Sequence, residues 1–146
     1  MVPSAAADAL SSLVLEVFRA EAALAAAGDA LVADLGLTGA RWKLLAAVRL
    51  APEPPTAPQI AARMGLSRQG VQRLVNAMAA EGLVELRPNP RHRRSPKIAV
   101  TPAGAAAFAQ ADARRQVWAQ GLAEGLDAAE LKAAAALMVR LRRRLG

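Results

Sequence analysis

The residues best equipped for chemistry lie between positions 67 and 97. Arg68, Gln69, Gln72, Arg73 and Asn76 recur at intervals that share one face of a helix, with Ser67 just ahead of them. An arginine fork matches the O6 and N7 acceptors of guanine, and a glutamine or asparagine carboxamide matches adenine N6 and N7. A second cationic set follows in Asn89-Pro90-Arg91-His92-Arg93-Arg94, with Lys97 just beyond. That segment is too charged to bury and too proline-bound to collapse, which suits a loop lying along a minor groove or a phosphate ridge. Taken singly, each set has a plainer reading as a solvated helix face or a solvated loop. Their succession points to nucleic acid.

The charge distribution places the function in the same stretch. The 146 residues carry a net +7. Residues 1–55 hold four Lys/Arg against six Asp/Glu, residues 56–101 hold eight against two, and residues 102–146 hold seven against four. The central third is therefore the positive one, between less polarised flanks. With no cysteine and a single histidine, thiolate metal sites, thiol redox switching and His-based catalysis have no residues to work with. The acidic residues stand singly, so no acid–base pair is available, no enzyme activity is expected, and no metal or cofactor is implied. No apolar run approaches the ~18 residues of a membrane span, and Met1–Asp8 lacks a basic segment ahead of its apolar stretch, so a soluble, cytoplasmic protein is expected.

Those side chains need a scaffold, and the punctuation of the chain supplies one. Hydrophobic residues make up 54% of the chain and aromatics only 3%, a composition for close-packed helices built from Ala, Leu and Val. Apolar periodicity from Asp8 to Leu35 predicts a long first helix ended by Gly36. Thr38 caps a second helix reaching Leu50, with Leu37 and Trp42 as a hydrophobic staple, and Pro52, Pro54 and Pro55 form a stiff connector. Thr56 and Gln59 have capping-box spacing for a short helix, Ala57 to Met64. Gly65 permits a left-handed turn, and Ser67 caps the next helix, which runs to Glu81 and stops at Gly82. Ile60, Met64, Leu66, Val71 and Leu74 are expected to face the core. Leu83–Arg87 and Lys97–Thr101 read as a β-hairpin around the loop Pro88–Pro96. Thr101-Pro102 opens a helix that closes at Gly125, and Asp127 with Glu130 opens a last one ending in Arg140, Arg142, Arg143 and Arg144.

The order α-α-α-α-β-β-α-α is a mostly α fold with a small hairpin wing, in which two helices at a fixed steep angle present the N-terminal side chains of the second to DNA. The sequence resembles the MarR-type (multiple antibiotic resistance) winged helix-turn-helix regulators over nearly its whole length. The resemblance rests on Leu37-Thr38-Gly39-Ala40-Arg41-Trp42, on Gln59-Ile60-Ala61 through Gly65-Leu66-Ser67-Arg68-Gln69-Gly70-Val71, on Glu81-Gly82-Leu83-Val84, and on Val100-Thr101-Pro102-Ala103-Gly104. It implies a transcription regulator, commonly a repressor released by a small aromatic or carboxylate effector, that binds a pseudo-palindromic operator as an intertwined homodimer. Two reading helices about 34 Å apart would meet successive major grooves.

By that resemblance, residues 1–37 and 102–146 supply dimerisation helices and residues 38–101 the DNA-binding domain. Leu13, Val17, Trp118, Leu137 and Leu141 are expected at the dimer interface, although an intramolecular core is the alternative for each. Arg68, Gln69, Gln72 and Arg73, with Asn76 on the same face, are expected to read bases. Ser67, Arg91, Arg93, Arg94 and Lys97 are expected to hold phosphate or minor groove. Arg41 and Trp42 would lie near an effector pocket, Arg41 facing a carboxylate; the alternative for Trp42 is simple core. One departure stands out: His92 stands where the family's wing Asp is expected, which puts the usual wing salt bridge in doubt and leaves either a pH-sensitive contact or a solvated histidine. An architectural protein that binds DNA without an operator, or a winged helix that docks on protein, would carry the same scaffold.

Overall fold

The computed structural model describes residues 1–146. The elements follow the expected order, and most boundaries are set by caps that the sequence displays. Helix α1 spans Ala5–Val32. It starts ahead of Asp8 because Ser4 is its N-cap, its hydroxyl accepting from the Ala7 N–H at 3.2 Å. A 3-10 turn, Ala33–Leu35, ends at Gly36. Helix α2 (Gly39–Arg49) is capped by Thr38, and α3 (Ala57–Met64) by Thr56 and Gln59 in a reciprocal capping box.

Gly65 takes φ 66°, the left-handed turn that a side chain would resist. Ser67 accepts from Gly70 N–H at 3.0 Å and starts α4 (Arg68–Ala80). Strands β1 (Val84–Arg87) and β2 (Lys97–Val100) pair antiparallel, Val84 with Val100 and Arg87 with Lys97. Helix α5 is Pro102–Leu122 and α6 is Ala128–Leu145.

The chain divides into two compact units, Met1–Asp112 and Ala113–Gly146. The first holds the core. Leu44, Leu45 and Val48 of α2, Ile60 and Ala61 of α3, and Val71, Val75 and Met78 of α4 are buried together with Val84, Ile98 and Ala111. Each large side chain removed from water in this way contributes about 1.5–3 kcal/mol. Ala61, 4% exposed, is small where α3 packs on α4. The proline connector does more than stiffen the chain: Ile98 N–H donates to the Pro55 carbonyl at 2.7 Å and Thr56 bridges Lys97, so the connector runs beside β2 as a third strand fragment.

Leu66 departs from expectation, being 47% exposed where a core position was predicted. Its N–H closes the turn onto Ala61 O at 3.0 Å. It belongs at once to the end of α3 and the approach to α4, and its direction follows from that turn instead of either helix's period.

The second unit pairs the end of α5 with α6 through a turn at Gly125 (φ 78°). Asp127 caps α6, accepting from Ala129 N–H at 3.1 Å. Trp118, Met138, Val139 and Leu141 are half-buried, and no residue of α6 is buried. No helix is long and apolar enough to cross a membrane.

Candidate nucleic-acid interface

The face that could meet DNA is built by the period of α4. Val71, Val75 and Met78 turn inward, and the intervening Arg68, Gln69, Gln72, Arg73 and Asn76 are all exposed. The structure thus presents the five expected base-reading candidates as one stripe. Gln72 Nε2 donates to Asn76 Oδ1 at 2.9 Å, so these two carboxamides hold each other one helical turn apart while Gln72 Oε1 and Asn76 Nδ2 remain able to bond outward. The Ser67 hydroxyl accepts from Gly70 N–H, which leaves its own proton to donate.

The hairpin brings the second cationic set alongside. Arg68 at the start of α4 and Arg91, Arg94 and Lys97 of the wing line one open groove of about 480 Å³, whose other walls include Glu53 and Asn89. Arg68, Arg73, Arg91, Arg93 and Arg94 have no carboxylate partner. Lys97 differs: its Nζ lies 3.7 Å from Glu53 Oε2, and its side chain is only 28% exposed. Arg93 is exposed on the wing but does not line the groove. A surface that carries this many uncompensated guanidiniums on two adjoining elements favours a polyanion over an apolar partner.

The wing itself is organised by a residue that sequence reading passes over. Asn89 is the buried polar residue of the chain, 8% exposed. Its Nδ2 donates to the Ser95 carbonyl at 2.9 Å, its Oδ1 accepts from Arg91 N–H at 3.2 Å, and its carbonyl accepts from His92 N–H at 3.1 Å. Ser95 N–H donates in turn to the His92 carbonyl at 3.0 Å. The His92 side chain is exposed and lines the groove.

Behind the wing, Thr101 Oγ1 donates to the Gly82 carbonyl and accepts from Gly104 N–H at 3.1 Å, tying β2 and α5 to the end of α4. A Cβ on Gly104 would overlap the Leu83 carbonyl oxygen, so any side chain here would force α5 and Leu83 apart.

Arg41 and Trp42 sit at the start of α2. Trp42 is half-buried and packs on the core. Arg41 Nη2 lies 2.6 Å from Glu81 Oε1, with side-chain exposures of 25% and 41%. The partnership joins α2 to the C-cap residue of α4 across forty positions of sequence. Nearby, Arg63 Nη1 donates to the Ala47 carbonyl at 3.3 Å and fixes α3 to α2.

Of the expected interface residues, Val17 and Leu137 are about 40% exposed in the single chain, and Leu13, Trp118 and Leu141 are half-buried. Phe18 and Leu15 on α1 and Val117, Leu122 and Leu131 in the second unit leave further apolar surface in water. No group of three or more His, Cys, Asp or Glu is placed to hold a metal ion.

An exposed polar helix braced by α3 and flanked by a cationic hairpin is the arrangement of a winged helix-turn-helix protein. Comparison with known proteins narrows the class. The family model described as MarR family matches residues 35–95. Uncharacterized protein Rv2011c of Mycobacterium tuberculosis is 40% identical over 126 residues, 86% of this chain and 87% of the relative. Among solved structures, a MarR family transcription regulator superposes with a TM-score of 0.81 at 28% identity, covering 94% of this chain and 91% of the other. The M. tuberculosis transcriptional regulator MOSR, solved in complex with DNA, does so with a TM-score of 0.72 at 26% identity, covering 90% and 96%. The chain belongs to the MarR family of winged-helix transcription regulators, a family of regulators and not of enzymes.

Proposed function

We propose that this protein is a sequence-specific, DNA-binding repressor of transcription that acts as a homodimer on a pseudo-palindromic operator. The observation that carries this reading is the exposed stripe Arg68, Gln69, Gln72, Arg73 and Asn76 beside the unpaired wing arginines, on a helix whose opposite side, Val71, Val75 and Met78, is buried in the core. In this reading the stripe enters the major groove, while Ser67, Arg91, Arg93, Arg94 and Lys97 hold phosphates or the adjoining minor groove. The comparison protein MOSR, crystallised in complex with DNA, supports DNA binding by this chain.

Residues 38–101 then form the DNA-binding domain. Residues 1–37 and 102–146 supply dimerisation helices, supported by the apolar side chains of α1 and α6 that the single chain leaves exposed. Two-fold symmetry in the protein asks for two-fold symmetry in its site.

Release follows from a small aromatic or carboxylate effector at Arg41 and Trp42. Because Arg41 is already held by Glu81, an incoming carboxylate must compete with that residue. Its binding therefore acts on the C-terminal end of the reading helix, and the coupling is reciprocal.

Selection of bound fragments from the source genome, followed by measurement of affinity for the selected fragment and for a random duplex, tests the reading. A shared pseudo-palindrome, with specific binding at least ~10³-fold tighter than non-specific binding, is the expected result. Equal affinity for both duplexes would make the protein architectural. Failure to retain any fragment would leave a protein-docking module.

A further inference from the structure

We infer that Asn89 is the positioning residue of the wing: its carboxamide holds the loop in the conformation that presents Arg91 and Arg94 beside Arg68. The inference rests on the DNA-binding reading above and adds to it the device that keeps like charges together.

The loop Pro88–Pro96 is a poor candidate for order on general grounds. Three guanidiniums in four residues repel one another, and none of them has a carboxylate partner. The side chains of residues 90–94 are exposed, so apolar burial does not hold the loop. Four hydrogen bonds remain, and three of them are made by Asn89.

Its Oδ1 takes the Arg91 N–H two residues ahead, the local turn that Asn and Asp side chains favour. Its Nδ2 reaches the Ser95 carbonyl six residues ahead, a bond that needs a donor at that length. Asparagine has both functions on one short, uncharged side chain. Aspartate would lose the donor, and serine would lose the reach.

The function gained is preorganisation. A loop ordered before binding loses less conformational entropy when it meets phosphate, so its charges act as fixed contacts.

The test uses the full-length protein and one duplex of random sequence, with affinity followed from 50 to 200 mM NaCl for wild type, Asn89→Ala and Asn89→Ser. Each phosphate contact contributes about 0.9 to the slope of log K against log salt. If each disordered wing forfeits one contact, the Asn89→Ala slope becomes shallower by about 0.9 per wing, and affinity near 0.15 M falls about fivefold per wing. Asn89→Ser, which keeps an acceptor for Arg91 N–H, recovers part of the slope.

A merely structural role would lower the melting temperature and leave the slope of the folded fraction intact, so equal slopes for Asn89→Ala and wild type would overturn the inference. Hydrogen exchange on the wild type gives an independent reading. Protection of the Arg91, His92 and Ser95 amides is expected, and open-chain exchange rates at all three would overturn the inference whatever the variants do. A wild type that protects these amides yet binds no duplex would remove the DNA-binding reading, and the role assigned to Asn89 with it.

Discussion

Replacing Gly104 by alanine should destabilise the protein, although the residue lies in the first turn of a helix, where alanine is ordinarily the better choice. The added Cβ would meet the Leu83 carbonyl oxygen far inside contact distance, and would press on Leu83 C and Val100 Cγ1 at 3.0 Å. Two of these three atoms are backbone, so no rotamer change relieves the clash. Overpacking of this kind costs typically 1–3 kcal/mol, and the backbone partners place it at the upper end. Moving α5 away from Leu83 also pulls Gly104 N–H from Thr101 Oγ1, and the loss of a helix cap costs about 1 kcal/mol more. Against this stands a helix-propensity gain of at most ~1 kcal/mol.

The net expectation is a loss of about 2–3 kcal/mol. For a chain of this length that lowers the melting temperature by roughly 6–12 °C. Gly28→Ala provides the control. Its Cβ meets nothing within 4 Å in the chain and its φ is ordinary, so stability should hold or rise by up to ~1 kcal/mol. Thermal melts by circular dichroism, with denaturant titration for the free energies, measure both. A Gly104→Ala protein melting at or above wild type would refute the packing argument.

Three further outcomes follow from the same structure. Replacing Arg91, Arg93 and Arg94 together by glutamine should flatten the salt dependence of DNA binding by up to ~2.7 per wing, while the melting temperature, read by calorimetry, stays within a few degrees because these side chains are exposed and unpaired. A double-mutant cycle on Arg41→Ala and Glu81→Ala should return a coupling of no more than about 1 kcal/mol, since both groups are partly in water; a coupling above ~2 kcal/mol would mean that the pair is far better shielded than its exposure indicates. Val17→Glu should convert the proposed dimer to monomer in light scattering with little loss of helicity, because Val17 is 40% exposed within the single chain; an unchanged mass would remove this face of α1 from the proposed interface.

How far the sequence discloses the fold depends on the range of the forces at each point. Helix α3 is legible to the residue because its start and stop are local: Thr56 and Gln59 exchange bonds over three positions, and Gly65 adopts its turn without outside help. The polar stripe of α4 is legible for the same reason, since helical period alone separates Val71, which is buried, and Leu74, which is half-buried, from the exposed Arg68, Gln72 and Arg73.

Glu81 is not legible, because its partner Arg41 is forty residues away and nothing in either neighbourhood marks the pairing. Asn89 reads as an ordinary turn residue until the fold places the Ser95 carbonyl within reach. Gly104 carries meaning in sequence only through the family motif, and the physical reason, a carbonyl oxygen in the space a Cβ would need, exists only in the packed molecule. Leu66 shows the converse: apolar type and spacing predict burial, and a turn shared by two helices leaves it half in water.

The central claim is that the exposed stripe of α4 reads sequence. Its most direct test is the ratio of affinities for the selected genomic fragment and a random duplex, at one fixed salt concentration, for wild type and for Arg68→Ala/Arg73→Ala. A ratio of ~10³ or more that collapses in the variant, with random-duplex binding reduced far less, is the predicted result. A variant that keeps the wild-type ratio would contradict it.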